Sequence, residues 1–307
     1  MIYHLDALNA NPCILAEYYY FKKIAEKYKV TLMGSGNDEL FAGYPTYIAD
    51  QTRKYYGMLP MFIRRLGFAI SKRLPVNHQK YSFDYLAQKF TEGSLFHRAK
   101  SHYWWRTIFS DHEKGKLFKE NLVHSGQMNL DAFSSYEKYF HRSKGVLSFE
   151  DQTLYADFYH FLIDNANMEV DQLSMAFSLE ARPPFLTKRF VEFAFNIPFN
   201  MKLRNYQTKH CLREGYKNIL PRYILGRKKQ GLVSPLNFLF QKTNASFLQG
   251  HLFSDRMAEF FNLNYIQKLL EDHQRARQNN SYKLFNLLAL SIWLKLFTNT
   301  KDPVSLN

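Results

Sequence analysis

Apolar residues recur along most of this chain at the three- and four-residue spacing of a helix buried on one side. Pro12 opens a run to Lys29 in which Leu15, Tyr18, Tyr19 and Lys22–Lys23 follow that spacing. Further helical pieces are predicted around 60–74, 82–90 and 97–109. From Glu150 the pattern sharpens. Leu154, Phe158, Phe161 and Leu162 make one face, and Leu173, Met175, Phe177 and Leu179 sit in the next helix, which Asp171 helps to start. Leu186, Phe190, Phe193, Ala194 and Ile197 make another face, capped by Thr187 and stopped by Pro198. Pro221 suits the first turn of a further helix. Late in the chain, Leu284, Leu287, Leu288 and Ile292 share one helical face.

One segment breaks the helical rule. Val30-Thr31-Leu32-Met33 is short, β-branched and apolar, without polar alternation, as expected of a strand covered on both faces. Gly34-Ser35-Gly36-Asn37 interrupts it, and a short helix over 38–41 follows, with Asp38 as its cap. This is half of a βαβ unit, and such a strand needs neighbours in a sheet. No second clear strand follows Tyr44. The expected fold is therefore α/β and mostly helical, with one orphaned parallel-type strand. Residues 1–44 would hold strand 30–33, the glycine turn and helix 38–41; 45–297 would form a mainly helical remainder, and 298–307 a tail.

Length and composition narrow the classes. The 307 residues are enough for at least one sizeable core, with a prior of about two domains. Hydrophobic residues at 46% exclude a disordered chain. Two cysteines, Cys13 and Cys211, exclude a disulfide scaffold or a cysteine-rich zinc site and fit a reducing, cytoplasmic setting. The apolar stretch 284–297 is broken by Asn286, Ser291 and Lys295 and falls short of the ~20 residues a bilayer needs, so no membrane partner is expected. A formal charge of +14 suggests an anionic partner. Nucleic acid is disfavoured, because basic residues such as Lys22-Lys23, Arg64-Arg65 and Lys228-Lys229 are scattered between aromatics without a known binding pattern.

Three stretches could carry chemistry. The carboxyl end of a strand facing a helix start is where phosphates and their metals settle in open α/β sheets. Gly34 and Gly36 would let backbone approach a ligand there, and Asp38-Glu39 would place a carboxylate for Mg²⁺; the bland alternative is a tight turn with a capping Asp. In the second stretch, Glu180 and Arg182 lie where Pro183-Pro184 ends a helix, and an ion pair anchoring that corner is the simpler reading. The third comprises Thr208-Lys209, Leu212-Arg213 and the basic loop Arg227-Lys228-Lys229-Gln230-Gly231. That loop could close over a polyphosphate and neutralise charge on a leaving group, or be a solvated charge run.

Taken in order, these segments resemble the C-terminal synthetase domain of glutamine-dependent asparagine synthases. Leu32 to Tyr44 (LMGSGNDELFAGY) is similar to the family's LSGxGxDELFGGY, and Val170 to Leu186 to its DRxSMAxSLExRxPFLD. Thr208–Arg213, Leu220-Pro221 and Arg227–Leu232 match TKxxLR, LP and RxKxGF, and Leu287 to Trp293 fits the closing helix. The resemblance implies an adenine-nucleotide α-hydrolase-like fold. It also implies activation of a carboxylate, usually that of aspartate, by ATP and Mg²⁺ to an acyl-adenylate. Ammonia from a glutaminase domain would then release the amide and AMP.

By the same resemblance, Asp38 is the magnesium- and pyrophosphate-side carboxylate and Lys229 the lysine on the pyrophosphate leaving group. Gly34, Ser35, Gly36, Glu39, Lys209 and Arg227 would surround the nucleotide, and Glu180 and Arg182 would support the pocket. There are departures. No Ser-Gly-Gly-x-Asp-Ser pyrophosphate loop occurs, residue 2 is Ile2 rather than a nucleophilic cysteine, and Ser35 stands where an acidic residue is common. Ala42 replaces a glycine, Thr187 an aspartate and Leu232 an aromatic. The expected chain is thus an N-terminally truncated synthetase, incomplete alone. Its partners would be aspartate or another small carboxylate and, on the alternative of a non-catalytic subunit, a chain carrying the missing N-terminal half.

Overall fold

The computed structural model describes residues 1–5, 8, 11–77, 82–126, 128–227, 231–232, 234, 236–240 and 245–298. Helix α1 (Cys13–Ala25) buries Ile14 and Phe21. They enter the main core with Leu284, Leu287 and Leu288 of the closing helix Ser281–Phe297, the face that the spacing predicted. Leu173 and Leu179 join the same core. Each such side chain contributes roughly 1.5–3 kcal/mol by leaving water.

Strand β1 (Val30–Leu32) is not orphaned. It pairs in parallel with β2 (Glu180–Arg182), Val30 opposite Glu180 and Leu32 opposite Arg182. The Met33 N–H extends the ladder to the Arg182 carbonyl at 2.9 Å. Nothing apolar marks Glu-Ala-Arg as a strand; Pro183 disfavours a helical Arg182 and leaves it extended. Burial on both faces is corrected as well. Ala181 packs on the main core, whereas Val30 is 42% and Leu32 70% exposed. Side chains alternate along a strand, so Val30, Leu32, Glu180 and Arg182 share the outer face. Among the described residues this ribbon is the whole sheet.

The glycine turn follows directly. Gly36 has φ +84°, and a Cβ there would lie 2.2 Å from Leu186 Cδ2, so only glycine suits the position. Helix α2 (Asn37–Leu40) starts one residue earlier than predicted, with Gly36 at the cap and Asp38 inside the first turn. Leu40 and Phe41 drop into a second core with Phe158, Leu162 and Ala194, which fixes the turn from below.

Helix α3 (Pro45–Tyr56), which the spacing did not predict, comes next, and α4 (Met61–Ser71), α5 (Phe83–Gly93) and α6 (Arg98–Trp104) follow close to the predicted pieces. The predicted face of Leu154, Phe158 and Leu162 is buried, in a helix that widens to π geometry over Asp157–Asn167. Helix Met168–Met175 continues from it, so Asp171 lies within a helix rather than at its start. Phe177 and Leu179 fall beyond its end, on either side of a left-handed Ser178 (φ 53°). Among the described residues no helix is long and apolar enough to cross a membrane.

Candidate functional site

The turn brings together two of the predicted residues that lie far apart in the chain. Lys209 Nζ is 2.7 Å from Asp38 Oδ1, with both side chains still partly open to solvent. The Lys209 N–H donates to the Phe41 carbonyl at 3.1 Å, fixing its backbone (φ 55°) at the start of helix His210–Gly215. Gly43 makes the approach possible. A Cβ there would lie 1.9 Å from Asp38 Oδ1 and 2.4 Å from Lys209 Cε. A partly exposed ion pair stabilises a fold by at most about 1 kcal/mol. Its main chemical consequence is a carboxylate and an ammonium held side by side at the solvent edge.

Glu39, predicted beside Asp38 on the ligand side, turns inward instead. It is 2% exposed and accepts a 2.6 Å hydrogen bond from the Tyr44 hydroxyl. Burial pushes its carboxyl up to about 6, opposed by the Tyr44 hydroxyl. Glu39 therefore braces the turn from the interior.

Beneath Tyr44 lies a buried polar network that the sequence pattern did not signal as a unit. The Arg106 guanidinium sits 4.3 Å from the Tyr44 ring centre and 4.5 Å from that of Phe161. It pairs with Asp157 Oδ2 at 2.6 Å. Asp157, fully buried, also accepts from the hydroxyls of Tyr47 (2.6 Å) and Tyr136 (3.0 Å). His102 bridges Asp157, at 3.0 Å from Nε2, and Asp50, through Nδ1. Trp105 Nε1 donates to the other Asp50 oxygen at 3.1 Å.

Burial alone would push His102 down; the Asp50 carboxylate, then that of Asp157, outweighs it and lifts the imidazole to about 9. Burial would likewise raise Asp157; the Arg106 guanidinium, then His102, holds it well below the usual carboxylate range. One signal was present in the sequence. Asp157 stands three residues after Leu154 and four before Phe161, on a face read as apolar, where an acid must be paired.

The other predicted residues are placed as follows. Gly34 is exposed with open space around it, and Ser35 is half-buried. Glu180 and Arg182 form the anticipated ion pair through two bonds (2.9 and 3.0 Å), but on the exposed outer face of the ribbon. Arg227 is exposed at the end of helix Arg222–Gly226, its carbonyl accepting from Arg213 at 3.3 Å. Lys229, with Lys228 and Gln230, lies outside the described residues. Among the described residues no group of three or more metal-ligating side chains gathers.

A parallel strand ending in a glycine turn, beside a carboxylate–lysine pair, is an arrangement suited to phosphate chemistry. The family model for asparagine synthase matches residues 1–295, and the chain belongs to that family. It is 26% identical over 293 residues to the glutamine-hydrolysing asparagine synthetase 1 of Bacillus subtilis (strain 168), covering 95% of this chain and 44% of that protein. It is 48% identical over 59 residues to asparagine synthetase 3 of the same organism, covering 19% of this chain and 10% of that protein. To the asparagine synthetase of Mus musculus it is 32% identical over 129 residues, covering 39% and 22%. The chain thus spans under half the length of the curated relatives it matches.

Proposed function

We propose that this chain is the synthetase portion of an asparagine synthase-type, ATP-dependent amide ligase of adenine-nucleotide α-hydrolase-like fold, acting in the cytoplasm. The substrates would be ATP and aspartate or another small carboxylate, and the nitrogen would come as ammonia released from glutamine. The observation that carries the reading is the Asp38–Lys209 pair at 2.7 Å on the glycine turn. Asp38 and the nucleotide's phosphates would hold Mg²⁺, which as a Lewis acid offsets phosphate charge. Lys209 orients the Asp38 carboxylate and adds a positive charge at the same edge. Gly34 and Ser35 leave backbone open to a phosphate, whereas Gly36, buried against Leu186, sets the turn that Glu39 and Tyr44 hold in shape. Arg227 and Lys229, carried over from the family's basic loop, would neutralise the departing pyrophosphate.

The ribbon supports a second element of the proposal, a partner segment. Parallel strands occur almost only where both faces are covered, yet the outer face here exposes Val30 and Leu32. The chain also lacks the Ser-Gly-Gly-x-Asp-Ser loop. A polypeptide carrying that loop and its strand would cover the ribbon and supply the rest of the nucleotide site; without it, the chain would be a non-catalytic subunit.

The test is ATP–pyrophosphate exchange. The chain alone should be silent, and the mixture with a polypeptide bearing the missing strand should show aspartate-dependent exchange that Asp38→Asn and Lys209→Met abolish. A well-folded complex that stays silent, or full exchange by the Asp38→Asn variant, would refute the ligase reading.

A further inference from the structure

Between Asp50 and Asp84 the sequence contains no acidic residue, but Arg53, Lys54, Arg64, Arg65, Lys72, Arg73 and Lys80. Helix α4 stands in the middle of this stretch. Its inner face is settled: the Arg64 guanidinium donates to the Ser94 carbonyl at 2.8 Å, and the Ser71 hydroxyl meets that of Thr91 on α5 at 2.9 Å. Its outer face is apolar. Phe62, Leu66 and Ile70, at i, i+4 and i+8, are 70%, 59% and 55% exposed, and Met58 just before the helix is 77% exposed. Exposed Arg65, Lys72 and Arg73 flank this stripe, and the Lys72 ammonium lies 4.0 Å over the Phe68 ring.

We propose that α4 docks flat on an anionic lipid surface, its apolar stripe at the acyl boundary and Arg65, Lys72 and Arg73 among the headgroups. Contiguous exposed apolar side chains mark a contact surface. The exposed cations Arg65, Lys72 and Arg73 beside the stripe are complementary to an anionic sheet and give a helix of the interfacial kind, which needs sidedness rather than the length of a span. The inference departs from the expectation that no membrane is engaged, which rested on the lack of a spanning segment. It is independent of the ligase reading.

The test is co-sedimentation of the whole chain with phosphatidylcholine vesicles, with and without phosphatidylglycerol. Binding is expected only when phosphatidylglycerol is present and should weaken as salt is raised. Replacing Arg65, Lys72 and Arg73 together by Gln should weaken it about a hundredfold, the equivalent of about 1 kcal/mol per cation. Phe62→Ser combined with Leu66→Ser should weaken it at least tenfold. All these side chains are exposed, so an unchanged melting transition is the control for folding, and either variant alone suffices. Failure to bind, equal binding to neutral vesicles, or binding untouched by both variants would overturn the proposal. A dimer in light scattering that Phe62→Ser dissolves would assign the patch to a second copy instead.

Discussion

Substituting His102 by Gln tests the buried network through both size and pH dependence. His102 is fully buried between Asp50 and Asp157. Removing it leaves Asp157 with Arg106 and two tyrosines, but strips Asp50 of its cation; breaking a buried ion pair in this way costs about 3–5 kcal/mol. The pH dependence is the sharper criterion. The folded imidazole sits at about 9 against an ordinary 6.5, a difference worth about 3 kcal/mol. Because the folded value is the higher one, this stability is fully present below about pH 6.5 and is lost as pH rises through 9.

Lys89 and Lys202, each pushed down to about 8 chiefly by burial, act in the opposite sense over the alkaline range. The quantity to follow is therefore the difference between wild type and variant in urea unfolding, measured from pH 6 to 10. That difference should shrink by about 3 kcal/mol across the range. A difference that stays constant would mean that His102 is neutral in the folded protein, and the account of the network would be wrong.

Two further substitutions test the turn. Gly36→Ala should destabilise the protein by more than about 1 kcal/mol, since it combines a left-handed backbone with a Cβ 2.2 Å from Leu186 Cδ2; an unchanged melting temperature would show that the turn can relax. Tyr44→Phe removes the 2.6 Å hydrogen bond to buried Glu39 and should cost about 1.5–3 kcal/mol in chemical denaturation. A loss under about 0.5 kcal/mol would show that Glu39 does not depend on Tyr44.

What could be read from the chain alone was whatever depends on neighbours a few positions away. The face of Leu284, Leu287 and Leu288, the strand at Val30, the glycine turn that ends it and the acid following that turn are all set by local sterics and by a spacing of 3.6 or 2. Motif order extended this to the family, because the lysine of Thr208-Lys209 and the acid of the DEL segment occur in a fixed sequence of blocks. Which acid stays at the solvent edge and which turns inward was beyond local rules. Asp38 and Glu39 are adjacent carboxylates of like chemistry, and only the fold sends one to Lys209 and the other to Tyr44.

The same limit hid β2, three residues without an apolar run whose identity comes from pairing with a strand about 150 positions earlier in the chain. It hid the network too, since Asp50, His102, Arg106 and Asp157 come from α3, α6, the turn after it and the π-helical segment. Taken singly, Asp50, His102 and Arg106 look like solvated side chains, and Asp157 alone stands on a face read as apolar. A charge is tolerable in the interior only where its counter-charge is also buried, and it is the tertiary packing that brings the two together.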